Sequence, residues 1–448
     1  MYEKKSHGPF TRRRRGVIIF VRKNLTETFM LKELRVRHFK SIDEEQVLSM
    51  EACPQKEVSE HPEHVLNIGG QRLLKVASFY GPNGGGKTNL LDALLTMVHI
   101  VYGHQLINYC LGEESNLPCV FSRNKISGFD IFFINEKYEL GYSIDVDLTK
   151  TIKKFNPISA SLSNCVEARI VSEELMVKRN DEKEFTTIYT RHENGTIESD
   201  VFESIDIIRT KRPLQPMLSF LKYYIDSFAN DLSDYIFSLH NEFSSILALI
   251  RENRNYVYSF EMVSVLKPHL NQVTNILNGL DFRISKLAFK QLEPGKYSLC
   301  VYRVEKDGKE TALQLANESN GTKKIVNIIF DVLSAKGASI FIADDFDSHL
   351  HPKLIRAIIE LFTSKDNVNK QLIFNSHDMT NMNNEVFRRD EIWFAYRNED
   401  FATQYIPLSN IVNFKGEMVR KDAKYGKQYL EGRYGADPYI KQGLNWGN

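Results

Sequence analysis

The stretch YGPNGGGKTNLL, residues 80–91, sets Gly81, Gly86, Lys87 and Thr88 in the order G-x-x-x-x-G-K-[ST]. Gly81, Gly84, Gly85 and Gly86, with Pro82 and Asn83 between them, let the backbone wind so that successive N–H groups face an anion. Asn89 and the apolar residues after it begin a helix whose positive N-terminal end adds to the same field. In such a loop Lys87 reaches the β- and γ-phosphates of a nucleotide, and the Thr88 hydroxyl is a ligand for Mg2+. A plain glycine turn between strand and helix accounts for fewer of these positions.

Three further segments follow far downstream: NESNGTKK (317–324), SIFIADDFDSHLHP (339–352) and QLIFNSHD (371–378). The first places Ser319 and the N–H of Gly321 at the start of a helix, a second anion site; a simple helix cap is the alternative for Ser319. The second is an apolar strand that stops at two carboxylates. Asp344 suits the Mg2+ shell, and Asp345 is placed to take a proton from an attacking water. The third ends at Ser376-His377, where an imidazole can hydrogen-bond a phosphate or that water, unless it is a structural histidine. His349 and His351, two apart before Pro352 and without a partner cluster, read as turn residues rather than a metal pair.

These residues need strands to deliver them. From Met30 the apolar positions Leu34, Val36 and Phe39 are near-alternating and RLLKVASFY (72–80) is a more continuous apolar run, so both read as strands, with the polar segment 51–70 as a loop between them. TNLLDALLTMVHIVYG has helical spacing, FDIFFINEKYELGYSIDVDLT reads as antiparallel strands turning at Asn135–Lys137, and IVSEELMVKR and EFTTIYTR extend a β-rich lobe. From Pro216 to about Leu287 the pattern is helical, and YSLCVYRVEK returns to strand. Helix, strand, helix and strand then alternate, as a parallel sheet requires, so the chain is expected to leave its nucleotide-binding core near residue 110 and re-enter it near 290. The expected divisions are a basic extension 1–29, a first ATPase half 30–200, a helical insertion 201–290, a second half 291–400 and a tail 401–448.

Composition narrows the class. At 42% hydrophobic and 26% charged residues the chain is an ordinary globular protein, and a net charge of +1 neither favours nor opposes a nucleic-acid partner. Five cysteines without close pairs exclude a disulfide framework or a common cysteine zinc motif and fit a cytoplasmic location. TRRRRGVIIFVRKN has an apolar run of only five residues, Val17 to Val21, too short for a signal peptide; it reads as a solvated or nucleic-acid-binding extension, or the product of an upstream start. No stretch reaches the ~20 apolar residues of a membrane span. The tail 413–448 holds seven Lys/Arg against four Asp/Glu with Tyr425, Tyr429, Tyr434 and Tyr439 interleaved, which suits either a partner surface or packing across the core.

Phosphate loop, serine-glycine helix start, acidic strand followed by Asp347-Ser348, and switch histidine together resemble the ABC-type ATPases. LKELRVRHFKSI, SNGTKK and FDSHLHP are similar to the cytoplasmic branch that includes the RecF/SMC-like and overcoming-lysogenisation-defect-related proteins. RKDAKYGKQYLEGRYGADPYI most resembles ATPase subunits of bacterial anti-phage systems, such as RloA/AbiLi-type proteins and the PARIS ATPase AriA. The likeness covers most of 30–440 and is weakest over 150–290.

The resemblance implies an α/β fold: an ABC-type P-loop ATPase core with an antiparallel β lobe and a helical insertion. It also implies a homodimer or higher homo-oligomer closing head to tail over two ATP molecules with Mg2+. Lys87 and Thr88 of one chain would hold the nucleotide, Ser319 and Gly321 of the other would cap it, and Asp347 would lie at the seam. The family's usual glutamine has no convincing counterpart, Gln71 lying before the loop. Since only about 45 residues follow the last core strand, a nuclease effector, possibly of Toprim type, is expected as a separate polypeptide. Members usually carry glutamate where Asp345 stands; the missing methylene shortens the reach by ~1.5 Å, and a ~1 Å misplacement can cost about a hundredfold in rate. A slow, regulatory ATPase in antiviral defence or abortive infection is therefore the leading expectation. A RecF-type enzyme acting directly on DNA is its rival, and a nucleotide switch without useful hydrolysis is a third class.

Overall fold

The computed structural model of the chain describes residues 29–54, 58–102, 106–107, 119, 122–156, 161–199, 216, 218, 246–248, 256–335, 337–412 and 418–435. In the first half the strands are β1 (Met30–Arg37), β2 (Gln46–Ser49), β3 (Val65–Ile68), β4 (Gln71–Leu74), β5 (Val76–Tyr80), β6 (Leu106–Ile107), β7 (Ile126–Ile134), β8 (Tyr138–Asn156), β9 (Ser161–Arg179), β10 (Thr186–Arg191) and β11 (Ile197–Glu198), with helix α1 (Lys87–Val101) after β5. Then come β12 (Ile246–Ala248), β13 (Val257–Ser259), helices α2 (Phe260–Leu266) and α3 (Leu270–Gly279), β14 (Lys286–Glu293), β15 (Lys296–Val304) and β16 (Glu310–Gln314). The chain continues through α4 (Asn320–Ser334), β17 (Ser339–Ala343), α5 (Pro352–Thr363), β18 (Lys370–Asn375), β19 (Ile392–Arg397), β20 (Thr403–Pro407) and α6 (Tyr425–Leu430).

The central sheet has six strands in the order β12-β17-β18-β5-β19-β20, all parallel except β20. VASFY and SIFIA are buried at every position, as strands covered on both faces must be. Their side chains divide by the two-residue period of a strand. Ala77, Phe79, Ile340 and Ile342 join Leu90, Leu94 and Met97 of α1 and the inner face of the antiparallel lobe in one core; Val76, Tyr80, Phe341 and Ala343 join α4 and α5 in the other. The lobe is one sheet ordered β11-β10-β9-β8-β7-β1-β2, with β6 on β9. Gln371, wholly buried on β18, pins lobe to sheet: its carbonyl accepts from Leu31 N–H at 2.9 Å, and its amide donates to the carbonyls of Leu31 and Leu74 at 3.0 Å each.

Several expectations need correction. Residues 72–80 are two strands, because Lys75 turns out of line to donate from Nζ to Ser364 O at 2.7 Å. The supposed loop 51–70 holds a short helical turn, Pro62–His64, and the hairpin β3–β4, whose two-residue turn uses Gly69 and Gly70 at φ 57° and 78°. The chain returns to the central sheet at β12, ahead of residue 290, whereas β13 to β16 build a separate small antiparallel sheet. Within the expected helical insertion, α2 and α3 are separated by a turn containing Pro268; SFLKYYIDSFANDLSDYIFSLHNEF lies outside the described residues, as do residues 1–28. In the tail, Tyr425, Tyr429 and Tyr434 are buried, and Phe394 of β19 lies 5.3 Å and 5.2 Å from the rings of Tyr429 and Tyr434. That part of the tail therefore packs on the core; Tyr439 lies outside the described residues. Among the described residues no helix is long and apolar enough to cross a membrane.

Candidate functional site

Parallel register brings the C-terminal ends of β5, β17 and β18 to one edge, Ala343 opposite Phe374 and Asn375 opposite Phe79, so the segments that follow all emerge together. The glycines of the loop are there for space. A Cβ on Gly81 would stand 2.1 Å from Ala395 O, and one on Gly86, at φ 95° as the N-cap of α1, would stand 2.2 Å from Thr403 Oγ1. The strands behind the loop hold it: Arg397 Nε donates to Gly84 O at 2.7 Å, Thr403 Oγ1 to Gly85 O at 3.2 Å, and the Tyr405 hydroxyl to Gly86 O at 2.7 Å. Asn89 Nδ2 donates to Ser41 Oγ at 2.5 Å, tying α1 to the turn after β1. Asn83 and Gly84 stay exposed at the tip.

Lys87 turns its ammonium onto the loop's own carbonyls, Gly81 O at 2.9 Å and Pro82 O at 3.1 Å, and burial lowers its pKa. Thr88 Oγ1 donates to Asp344 Oδ1 at 2.9 Å. Asn375, which the sequence reading missed, ties the acidic strand end together. Its amide donates to the same Asp344 oxygen and to Thr88 Oγ1, and its carbonyl accepts from Asp345 N–H at 2.6 Å. Asp345 has left-handed backbone, φ 45°, a conformation aspartate tolerates better than most residues. Its carboxyl pKa is raised, first by burial and then by the charge of Asp344. His377 is exposed, and its backbone N–H donates to Asp347 Oδ1 at 3.0 Å.

Ser319 caps α4, its Oγ accepting from Thr322 N at 3.2 Å, and both Ser319 and Asn320 are exposed. Gly321 has a packing reason of its own, since a Cβ there would lie 2.6 Å from His349 O. Lys324, a second residue passed over in the sequence, reaches from the first turn of α4 to Asp345 O at 2.9 Å, Ser348 O at 2.8 Å and Ser348 Oγ at 2.7 Å. The start of α4 and the turn carrying Asp345 and Asp347 are thus one fastened unit. His351 is a turn residue, its Nδ1 accepting from Lys353 N at 3.2 Å, and His349 sits at φ 61°. Gln71 lies in β4, upstream of the phosphate loop.

The Thr88 hydroxyl and Asp344 carboxylate are hard oxygen donors of the kind Mg2+ selects, side by side at a glycine loop and a helix N-terminus that suit a nucleotide triphosphate. Loop, oxygen pair and acidic strand on a parallel sheet flanked by an antiparallel lobe define an ABC-type P-loop ATPase. Residues 76–383 match the family model "AAA domain, putative AbiEii toxin, Type IV TA system", and the chain belongs to that family. Among solved structures it is similar to the SMC head domain from Thermotoga maritima, at 15% identity over 84% of this chain and 98% of that one with a TM-score of 0.39. It is also similar to an Smc head bound to the C-winged helix domain of ScpA, at 14% identity over 84% and 97% with a TM-score of 0.41. A third is the Smc head with an extended coiled coil bound to the C-terminal domain of ScpA derived from Pyrococcus furiosus, at 13% identity over 85% and 96% with a TM-score of 0.34. No curated protein matches the sequence.

Proposed function

We propose that this ATPase is the slowly hydrolysing regulatory subunit of a bacterial anti-phage defence system, controlling a separate effector through ATP-dependent dimerisation. One observation carries the reading. Lys87, Thr88, Asp344 and Asp345 converge at one sheet edge, while Ser319 stands exposed at the start of α4 with its hydroxyl engaged by Thr322 and by none of the loop residues. A helix start left facing solvent is a site for an anion brought by a second copy of the chain. The family's association with AbiEii toxin and type IV toxin–antitoxin systems supports the defence setting.

In this reading Lys87 leaves the carbonyls of Gly81 and Pro82 for the phosphates, and Thr88 and Asp344 hold Mg2+. Asp345 accepts the proton of the attacking water, His377 orients the γ-phosphate, and Ser319 and Gly321 of a second chain close the site. Bound Mg·ATP supplies the electrophilic phosphorus and the charge that these groups surround. The short arm of Asp345 makes turnover slow.

The test is affinity purification of wild type and Lys87→Ala together with the product of the neighbouring gene. Stoichiometric recovery of a nuclease with wild type, altered in Lys87→Ala, supports the proposal; recovery with neither sinks it. Salt-sensitive DNA binding by the isolated chain would favour direct action on DNA instead.

A further inference from the structure

HPEH, residues 61–64, lies at the start of β5, across the central sheet from the phosphate loop; His64 O accepts from Lys75 N at 3.0 Å. His61, Glu63 and His64 each offer a donor atom within 4.8 Å of the others. Glu63 Oε1 is 3.3 Å from His61 Nδ1 and 3.9 Å from His64 Nε2, and the two rings stack with centroids 4.6 Å apart. Bonds of roughly 2.0–2.1 Å to a shared zinc place two donors about 3.3 Å apart at a tetrahedral angle and farther apart at wider ones. The 3.3 Å pair matches the tetrahedral angle, and the 3.9 Å pair closes to it when the His64 and Glu63 donors approach by about half an ångström.

The outer nitrogens make the stronger argument. His61 Nε2 lies 2.8 Å from Asn384 O, an acceptor only, so it carries the ring proton. His64 Nδ1 lies 2.9 Å from Oε2 of Glu391, a wholly buried carboxylate that also accepts from Arg388 N–H at 2.8 Å, so it too carries the proton. Each inner nitrogen then lies on the side of Glu63, where either a second ring proton or a shared cation can stand between nitrogen and carboxylate. Outer N–H groups held by a carbonyl and a carboxylate are the arrangement that fixes ligating histidines. His61 is moreover held at φ 44°, in the left-handed region.

We propose that His61, Glu63 and His64 are a three-ligand site for a first-row divalent cation of the zinc class, with water in the fourth position and Asn384 and Glu391 as its outer partners. Two imidazoles and one carboxylate are softer than the oxygen pair at Thr88 and Asp344, which separates the two sites by metal. The bound ion fastens the turn after β2 to the segment leading from the switch histidine into β19. The site shares no residue with the nucleotide site, so it stands or falls independently of the proposed function.

The test uses the full chain, stripped with chelator and titrated at pH 7.5 with Zn2+ against a chromophoric zinc indicator. The wild type is expected to take up one tight equivalent, and Co2+ in its place to show the visible bands of a four-coordinate ion. His61→Ala and Glu63→Gln, whose side chains are partly exposed, should each weaken zinc at least tenfold and abolish those bands at an unchanged melting temperature of the metal-free protein. Glu391→Gln should lose about 10–100-fold. Failure of wild type to bind, or binding unaltered in both His61→Ala and Glu63→Gln, overturns the proposal; the second result places the ion on other histidines.

Discussion

Asp345→Asn should separate stability from chemistry in opposite directions. Asparagine tolerates the left-handed φ of 45° as aspartate does, and it keeps the backbone N–H to Asn375 and the carbonyl to Lys324, so the turn is preserved. Only the charge and the oxygen proposed to accept the proton disappear. The folded carboxyl has a raised pKa, by burial first and by Asp344 second, so its contribution to stability is fully present below the unfolded pKa and is lost as pH rises through the folded one. Near pH 7 the ionised group therefore works against folding. Because Asp345 is exposed, that burden stays below about 1 kcal/mol. Asp345→Asn should melt at the same temperature or up to ~1 °C higher at pH 7, with the difference vanishing in acid. A general base contributes about 10²–10⁴-fold, so phosphate release should fall at least about a hundredfold. Nucleotide affinity, carried by Lys87 and the loop, should stay within about threefold in a fluorescent-nucleotide titration. Hydrolysis within about threefold of wild type would refute the assignment and make another group the acceptor; a marked loss of stability at pH 7 would refute the linkage.

Asn375→Ala leaves Asp345 N–H without its acceptor and frees Asp344, which should cost about 1–3 kcal/mol in denaturant melts and raise the Mg2+ concentration needed for turnover by about 10–100-fold. Ser319→Ala removes the α4 cap, worth about 1 kcal/mol, and should in addition abolish ATP-dependent dimerisation read by light scattering; loss of the stability increment alone would leave the residue a cap. Gly321→Ala drives a Cβ against His349 O and should lower the melting temperature by an amount equivalent to about 1–3 kcal/mol, with turnover falling alongside. Tyr429→Ala deletes a ring stacked on Phe394 and should destabilise the chain by about 3 kcal/mol or more, measured by urea unfolding.

The parts of this fold visible in the sequence are those whose pattern is local. VASFY, SIFIA and QLIFN read as buried parallel strands because each is short, mostly apolar and free of charge, and the glycine loop reads as a phosphate cradle because its spacing is chemically restrictive. The β3–β4 hairpin carried a readable sign, Gly69-Gly70, but its short strands have too few apolar residues to stand out from a polar loop. The tail was ambiguous in principle, since basic and aromatic residues interleave both on docking surfaces and on the rims of cores; the rings beside Phe394 decide it for Tyr429 and Tyr434. HPEH looks like loop until Asn384 and Glu391, more than 320 positions away, fix the two rings.

The least legible residues, Asn375 and Lys324, also explain how the site could report on a partner. Asp345 takes its place from two directions: its N–H is held by Asn375, beside the phosphate loop, and its carbonyl by Lys324, in the first turn of the helix that Ser319 begins. The same lysine holds Ser348, one residue past Asp347. In the proposed dimer the exposed start of α4 would meet the partner's nucleotide, so a shift of that helix start would be transmitted through Lys324 to the backbone of Asp345, the proposed proton acceptor. A ~1 Å displacement there is enough to change the rate by about two orders of magnitude. An aspartate whose reach is already short has little slack to absorb such a shift, which in that reading would make hydrolysis sensitive to the docking of the second chain. A glutamate, with a further rotatable bond, would be more forgiving. On the proposed reading the short side chain and the lysine tether would serve one purpose, to make turnover depend on assembly.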